Sequence, residues 1–142
     1  MKNRSVIIHS LEHARVAVTV AAELGCSVIL RSAPGAAAYL GPQVFRDMVE
    51  ETATELDIQA IEAVFDCGDD PGLALAALRH GLKAVCIDAP PETIKKITDI
   101  AAQTGARVET RAETPGNALS ESLDLLDAND PEAAIRAWLT GN

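Results

Sequence analysis

Short apolar runs alternate along this chain with longer segments in which apolar residues recur at helical spacing. The runs that predict strands lie at residues 5–9, 26–31, 60–65, 83–88 and 107–111, and glycine or proline marks most helix ends between them. Such alternation with short connections is typical of parallel strands joined by right-handed helical crossovers. The sequence therefore predicts an α/β fold built on a five-stranded parallel sheet of βα units.

Two orders of the strands agree with this pattern. In sequential order every crossover places its helix on the same face, which gives a half-(βα)8-barrel whose other face is covered by C-terminal helices or a partner. If the order reverses once, as in a flavodoxin-like doubly wound sheet, helices cover both faces. The half-barrel is the first expectation, with residues 107–111 as a partly polar edge strand.

The composition fits one soluble globular domain. Of the 142 residues, 48% are hydrophobic and 23% are charged, and no linker or low-complexity segment divides the chain. We expect a single α/β domain over residues 1–142, with the βα units in 1–111 and a C-terminal helical segment in 112–142.

The C-terminal segment carries two patterns typical of helices, at residues 118–126 and 132–140. In the second, Ile135, Trp138 and Leu139 form an apolar stripe. We expect this stripe to dock the last helix on the domain rather than to bind a separate partner.

Charge and cysteine content exclude several classes of function. The formal net charge of −9, with only 12 Lys and Arg, argues against nucleic acid as a partner. No apolar run is long enough for a membrane span or a signal peptide. The cysteine count is odd, and Cys26 and Cys86 lie in apolar runs where a reduced thiol behaves as a small hydrophobe. We expect a cytoplasmic protein, and a homo-oligomer if one sheet face is open.

Polar residues stand where the strands end. Asp66 and Asp88 follow neighbouring strands, and the carboxyl ends of parallel strands line the crevice in which ligands bind. Asp66 comes directly after an apolar run, so it needs a ligand or a partner, and Arg31 or Arg111 is a candidate for a salt bridge. The residues expected to bind a small-molecule ligand all lie at strand ends: His9, Arg31, Ser32, Asp66, Cys67 and Asp88.

His9 and Cys67 are suitable zinc ligands, so zinc or another divalent metal is a candidate cofactor. The chain has no CxxC or HExxH spacing, however, and we favour a structural interpretation without a cofactor. In that interpretation Asp70 caps a helix, Gly68 permits a turn and Cys67 is a small buried residue. A nucleophilic role for Cys67 is least favoured, because the neighbouring aspartates raise the pKa of its thiol.

Three stretches carry a family resemblance. Residues 27–42 contain a strand followed by a loop of glycine, alanine and tyrosine, Phe65-Asp66-Cys67-Gly68 follows the third apolar run, and residues 74–89 end in isoleucine, aspartate and alanine. Together they resemble the amino-terminal half of class II fructose-bisphosphate aldolases, which are metal-dependent TIM-barrel enzymes. The resemblance spans roughly His9 to Arg111 in the order and spacing of elements.

The resemblance implies roles for individual residues. Asp66 matches the acid that exchanges a proton with the substrate, and Asp88 the acid near the metal. Cys67 stands where the family has a zinc-binding histidine, and the family's second half has no counterpart in this sequence. We therefore expect a small-molecule binding or assembly module without complete aldolase activity. The alternative is a metal-assisted lyase or isomerase for a carbonyl or sugar-phosphate compound, with catalytic Asp66 and a site completed by oligomerisation.

Overall fold

The computed structural model describes residues 4–110 and 122–141, and strands and helices alternate through them as predicted. In chain order the elements are β1 (Arg4–Ile7), α1 (Leu11–Leu24), β2 (Val28–Arg31), α2 (Pro42–Glu55), β3 (Glu62–Asp66), α3 (Pro71–Arg79), β4 (Ala84–Ile87), α4 (Pro91–Ala102), β5 (Arg107–Thr110), β6 (Ser122–Asp124) and α5 (Pro131–Thr140). A 3-10 turn at Ala36–Ala38 precedes α2.

All the described strands belong to one parallel sheet of six strands, in the order β5-β4-β3-β2-β1-β6. The first five strands are therefore in sequential order, which confirms the half-barrel expectation, and the doubly wound alternative is wrong. Because right-handed crossovers between sequential strands all turn the same way, α1 to α4 lie on one face. The predicted edge position of β5 is also confirmed.

The C-terminal segment departs from the prediction. Instead of a helix at 118–126, the structure has β6 at Ser122–Asp124, which pairs in parallel with β1 and makes a sixth strand. Residues 118–121 of the predicted helix lie outside the described part of the chain. The physical reason is a period of two in Ser-Leu-Asp-Leu, which sends Leu123 and Leu125 to the helix side of the sheet.

Local capping signals fix the helix ends. The Ser10 hydroxyl accepts the backbone N–H of His13 at the start of α1, and Gly25 ends that helix in the left-handed conformation at φ 68°. Asp70 accepts two backbone N–H groups in the first turn of α3, and Asp130 caps α5. The capping role predicted for Asp70 is confirmed.

The main hydrophobic core fills the space between the sheet and the helices. The strands contribute Val6, Leu30, Phe65, Val85 and Ile87, all fully buried. Phe45 of α2 stacks on Phe65 with 5.2 Å between the ring centroids. Alanines dominate the buried faces of α1 and α3, so these helices can approach the sheet closely.

The opposite face of the sheet is concave. It carries a small second cluster formed by Val64, Ala84 and Cys86. Above this cluster Arg31 of β2 pairs with Glu109 of β5. In a flat sheet, side chains three strand spacings apart would stand parallel on backbones about 14 Å apart. Their contact fits a sheet that curves, as in part of a barrel.

Helix α5 docks on the domain, as predicted from its apolar stripe. Ile135 and Leu139 are buried in the main core, and α5 packs against α1. The indole Nε1–H of Trp138 donates to the backbone oxygen of Ser5 at 3.1 Å, and the Arg4 guanidinium lies 5.0 Å from the Trp138 ring centroid. This contact ties the C-terminal helix to the start of β1.

The three cysteines carry free thiols, and Cys67 and Cys86 are buried. Within residues 4–110 and 122–141, no helix combines the length and apolar character needed to cross a bilayer.

Shortening Ile135 to alanine should lower the free energy of unfolding by about 2–5 kcal/mol, since it leaves a cavity between α5 and the sheet. Urea denaturation followed by Trp138 fluorescence measures the change. Leu126→Ala is the matched control, because Leu126 is 63% exposed and its loss should cost no more than about 0.5 kcal/mol. Equal losses in the two variants would contradict the docking of α5.

Candidate functional site

Asp66 lies at the carboxyl end of β3 and holds two loops together. Its side chain is almost fully buried, and Oδ1 accepts the backbone N–H groups of Gly35 and Gly68, each at 2.9 Å. The backbone N–H of Asp66 donates to Ser32 Oγ at 2.8 Å. One aspartate thus joins the loop after β2 to the loop after β3.

The backbone conformation of these loops favours glycine at both points of contact. Gly35 and Gly68 have φ values of 65° and 62°, in the left-handed region that favours glycine. A Cβ added to Gly68 would lie 3.6 Å from the Cα of Gly35, so the loops approach one another backbone against backbone. The predicted turn role of Gly68 is confirmed, and Gly35 is its partner.

Asp88 follows β4 at the same edge of the sheet. Asp66 is in register with Cys86, so Asp88, two residues beyond Cys86, lies on the same face as Asp66. The backbone N–H of Asp88 donates to the oxygen of Gly68 at 2.8 Å, and its side chain is exposed. The structure therefore brings the two acids to one edge in contrasting environments, one buried and one open to solvent.

His9 belongs to a cluster that forms between β1 and β6. His9 Nε2 lies 2.6 Å from Asp124 Oδ1, and the two histidine rings of His9 and His13 meet edge to face with 5.9 Å between centroids. Asp124 was not identified as a site residue from the sequence, because its segment was predicted to be helical. The signal that would have found it is the two-residue alternation of serine, leucine, aspartate and leucine over residues 122–125.

His13 acts as an acceptor for the backbone of His9. The backbone N–H of His9 donates to His13 Nδ1 at 3.0 Å. Burial lowers the pKa of His13, and the charge of His9 lowers it further, against opposing effects of Asp124 and Glu12. A neutral imidazole has one acceptor nitrogen, so the lowered pKa suits this bond. His13, which is partly buried, thus positions the end of β1.

Arg31 does not follow the expectation of a salt bridge to Asp66. Its guanidinium pairs with Glu109 through both terminal nitrogens, with Nη1 3.3 Å from Oε1. The curvature of the sheet brings β5 over β2 and supplies this nearer carboxylate. The other cation predicted for that salt bridge, Arg111, lies outside the described residues.

The pair is well shielded from water, with 4% of the Arg31 side chain and 17% of the Glu109 side chain exposed. Burial by itself would raise the pKa of Glu109, but the hydrogen bond and charge of Arg31, helped by Arg107 and Cys86, lower it overall. Glu109 is therefore ionised in the folded protein at neutral pH. The stability that it contributes is lost only at acidic pH, when its carboxylate is protonated.

Cys67 lies on the other side of the sheet from the acids. It is buried in the main core beside Phe65, and burial, then Asp66, Cys86 and Asp70, raises the pKa of its thiol to about 12. Such a thiol stays protonated at neutral pH, whereas zinc binds the thiolate. The structure thus does not bring Cys67 to His9.

The side chains that could donate to a divalent metal are dispersed in the described part of the chain. Nowhere in residues 4–110 or 122–141 do three or more His, Cys, Asp or Glu side chains gather closely enough to hold a metal ion. Structural and catalytic zinc sites use at least three protein ligands. The described residues therefore do not fit a zinc site, and no chemical step is derived through one.

Comparison with known proteins assigns the chain to a family. The model of the family described as fructose-bisphosphate aldolase class-II matches residues 4–114. The chain belongs to this family. The matched segment runs from β1 through β5 and so includes both glycine loops, Asp66 and Asp88. A search of curated proteins found no match.

Replacing Asp66 with alanine should lower the free energy of unfolding by roughly 2–4 kcal/mol, because two loop N–H groups lose their acceptor. Asp66→Asn keeps an oxygen in the Oδ1 position and should cost less than about 1.5 kcal/mol. Urea denaturation and hydrogen exchange at the Gly35 and Gly68 amides measure the two effects. Unchanged hydrogen exchange at both amides in Asp66→Ala would contradict the role of Asp66 in holding the two loops together.

Arg31→Met should cost about 3–5 kcal/mol, since it leaves Glu109 partly buried without its partner, whereas Arg31→Met/Glu109→Met should recover most of that loss. The lowered pKa of Glu109 contributes stability that is present above its ordinary value of 4.5 and is lost as pH falls below it. Urea denaturation at a series of pH values around 4.5 measures this effect. As the pH falls, the free energy of unfolding of the wild type should decrease relative to that of the double variant. A constant difference at every pH would contradict the pairing.

Proposed function

We propose that the protein is a binding module for a small hydroxylated carbonyl compound, held at the carboxyl ends of the strands, without complete aldolase activity. The observation that carries this proposal is the fixed position of Asp66, whose Oδ1 accepts N–H groups from both glycine loops. A carboxylate held in this way and its two loops are ordered before a ligand arrives, which lowers the entropic cost of binding.

The surrounding polar groups suit hydroxyl and carbonyl oxygens. The exposed carboxylate of Asp88 is an acceptor for ligand hydroxyl groups. His9 is oriented by Asp124 through Nε2, so its ring is presented at the end of β1. Ser32 accepts from the backbone of Asp66 and serves to position it. We assign Arg31 a structural role beneath the site, because Glu109 occupies its guanidinium.

Membership of the family directs the choice of ligand. Class-II fructose-bisphosphate aldolases are named for a phosphorylated ketose, but the carboxylates of Asp66 and Asp88 would repel a phosphate group, so unphosphorylated fructose is the first compound to test. The proposal stops at binding because Cys67, at the position of the family's zinc-binding histidine, is a buried thiol with a raised pKa. Asp66 would then contact the ligand without a metal partner to assist cleavage.

Assembly and location are part of the proposal. β5 and β6 are the outermost strands of the described sheet, and such edges are sites of association between chains. We propose a homo-oligomer on this basis. Three free thiols suit a reducing compartment, which supports a cytoplasmic location.

Titration with fructose should shift the amide resonances of His9, Gly35 and Gly68 in proton–nitrogen correlation spectra, since the ligand would lie against these loops. Asp88→Asn should weaken binding roughly tenfold, the effect of losing one hydrogen bond to a charged group. Asp99→Asn is the matched control, because Asp99 is an exposed acid on α4 and should leave the affinity unchanged.

Two outcomes would contradict the proposal. One is the absence of any shift at the three amides with fructose bisphosphate and with unphosphorylated fructose. The other is zinc-dependent cleavage of fructose bisphosphate that is lost in Asp66→Asn, which would support the lyase alternative instead. Cleavage assays on the same preparations, with and without added zinc, separate the two interpretations.

A further inference from the structure

A cavity, which we call the basal cavity, lies at the end of the sheet where the strands begin, opposite Asp66. It encloses about 440 Å³ between α2, the segment 59–63 that leads into β3, and the turns before β4 and β5. Volumes of this order are typical of small-molecule sites. Small residues leave this space open, since a Cβ added at Gly81 or Gly105 would meet no atom within 4 Å.

The lining of the basal cavity combines an apolar wall with a charged rim. Val49 and Ala53 of α2 face Ile61 and Leu82 across it. The rim has three cations and two anions, a formal balance of +1, in a chain whose net charge is −9. The charged rim residues are Arg46, Lys83, Arg107, Glu50 and Glu62. The lining of the cavity is therefore richer in cations than the chain as a whole.

Two of the cations that line the cavity, Lys83 and Arg107, have donors to spare. The backbone N–H of Arg107 donates to the oxygen of Lys83 at 2.9 Å, so their backbones are neighbours where β4 and β5 begin. Lys83 Nζ gives one hydrogen bond, to the oxygen of Thr104, and an ammonium has three donors. Arg107 lies 3.6 Å from Glu62 and 3.7 Å from Glu109, longer than hydrogen bonds.

The ion pair between Arg107 and Glu62 is also loose. Both side chains are about half exposed, at 47% and 48%. Exposed pairs of this kind contribute little, so an arriving anion can compete with Glu62 for the guanidinium. Arg46, in contrast, is already held by Asp47 and by the backbone oxygen of His80.

We propose that the basal cavity binds a small organic anion, that is, a carboxylate, sulfonate or phosphate group on an apolar body. The anionic group lies at the charged rim that Lys83 and Arg107 help to line, and the apolar body occupies the space between α2 and Leu82. This site shares no residue with the strand-end site, so it stands independently of the function proposed there.

The test uses anilinonaphthalene sulfonate, an aromatic anion that fluoresces in apolar surroundings, with the full-length folded protein. Saturable binding of one equivalent is expected, with amide shifts at Gly81, Lys83 and Gly105 and none at Gly35 or Gly68. Phenylnaphthylamine has the same aromatic body without the charge, and it should bind about two- to fivefold more weakly, the range of one exposed ion pair.

Four variants test the site, and Lys83→Gln and Glu62→Gln should change its affinity for the sulfonate in opposite directions. Lys83→Gln should weaken binding of the sulfonate about two- to fivefold, whereas Glu62→Gln should strengthen it by a similar factor, because Arg107 loses its competitor. Ala53→Leu fills the cavity and should weaken binding at least about tenfold. Lys95→Gln, an exposed lysine on α4, is the control for Lys83→Gln and should change nothing.

Non-saturating fluorescence, or shifts spread over the whole protein, would overturn the proposal. Equal affinity for the charged and neutral probes would refute selection of an anion. Weaker binding in Glu62→Gln would do the same, and loss of folding cannot imitate the expected gain. Failure of these tests would leave the strand-end titration unaffected, because the reporting amides differ.

Discussion

Curvature of the parallel sheet is the constraint on which the rest of this structure depends. Sequential strand order places α1 to α4 on one face, so the other face must be satisfied by the sheet itself. Val64, Ala84 and Cys86 are short enough to leave room there, and Arg31 and Glu109 pair above them. A buried ion pair adds little over apolar residues, but either charge alone is costly. A flat sheet would separate the charges, so the pair favours the curved form.

The same curvature gathers the strand ends into one site and gives it parts from distant segments. Asp66 accepts hydrogen bonds from the two glycine loops after β2 and β3. On the other side of β2, β6 pairs with β1 and places Asp124 against His9. The two ends of the described sheet differ in chemistry, because Asp66 and Asp88 lie where the strands end, whereas Arg46, Lys83 and Arg107 line the basal cavity together with Glu50 and Glu62.

Much of this was accessible from the sequence because the signals are local. Ser10, Gly25 and Asp70 act at the helix ends to which their side chains and backbone preferences assign them. The partners of the site residues were not accessible. Arg31 was expected to reach Asp66, but strand curvature supplied Glu109, and Asp124 lay hidden because leucines in 118–126 also fit a helical period. Three residues of strand are too few to overrule that pattern without their neighbour β1 in view.

The sequence by itself determined that this chain alternates strands and helices, that its strands lie parallel and that acids stand at their carboxyl ends, since these depend on residue spacing and short-range capping. Only the tertiary structure decided which face each strand-end residue occupies. Cys67, adjacent to Asp66 in the chain, points into the helix-side core, because neighbouring residues of a strand project to opposite faces. The tertiary structure also decided which side chains pair. Contacts between β2 and β5, or between β1 and β6, depend on the arrangement of the strands in the sheet rather than on a local sequence pattern.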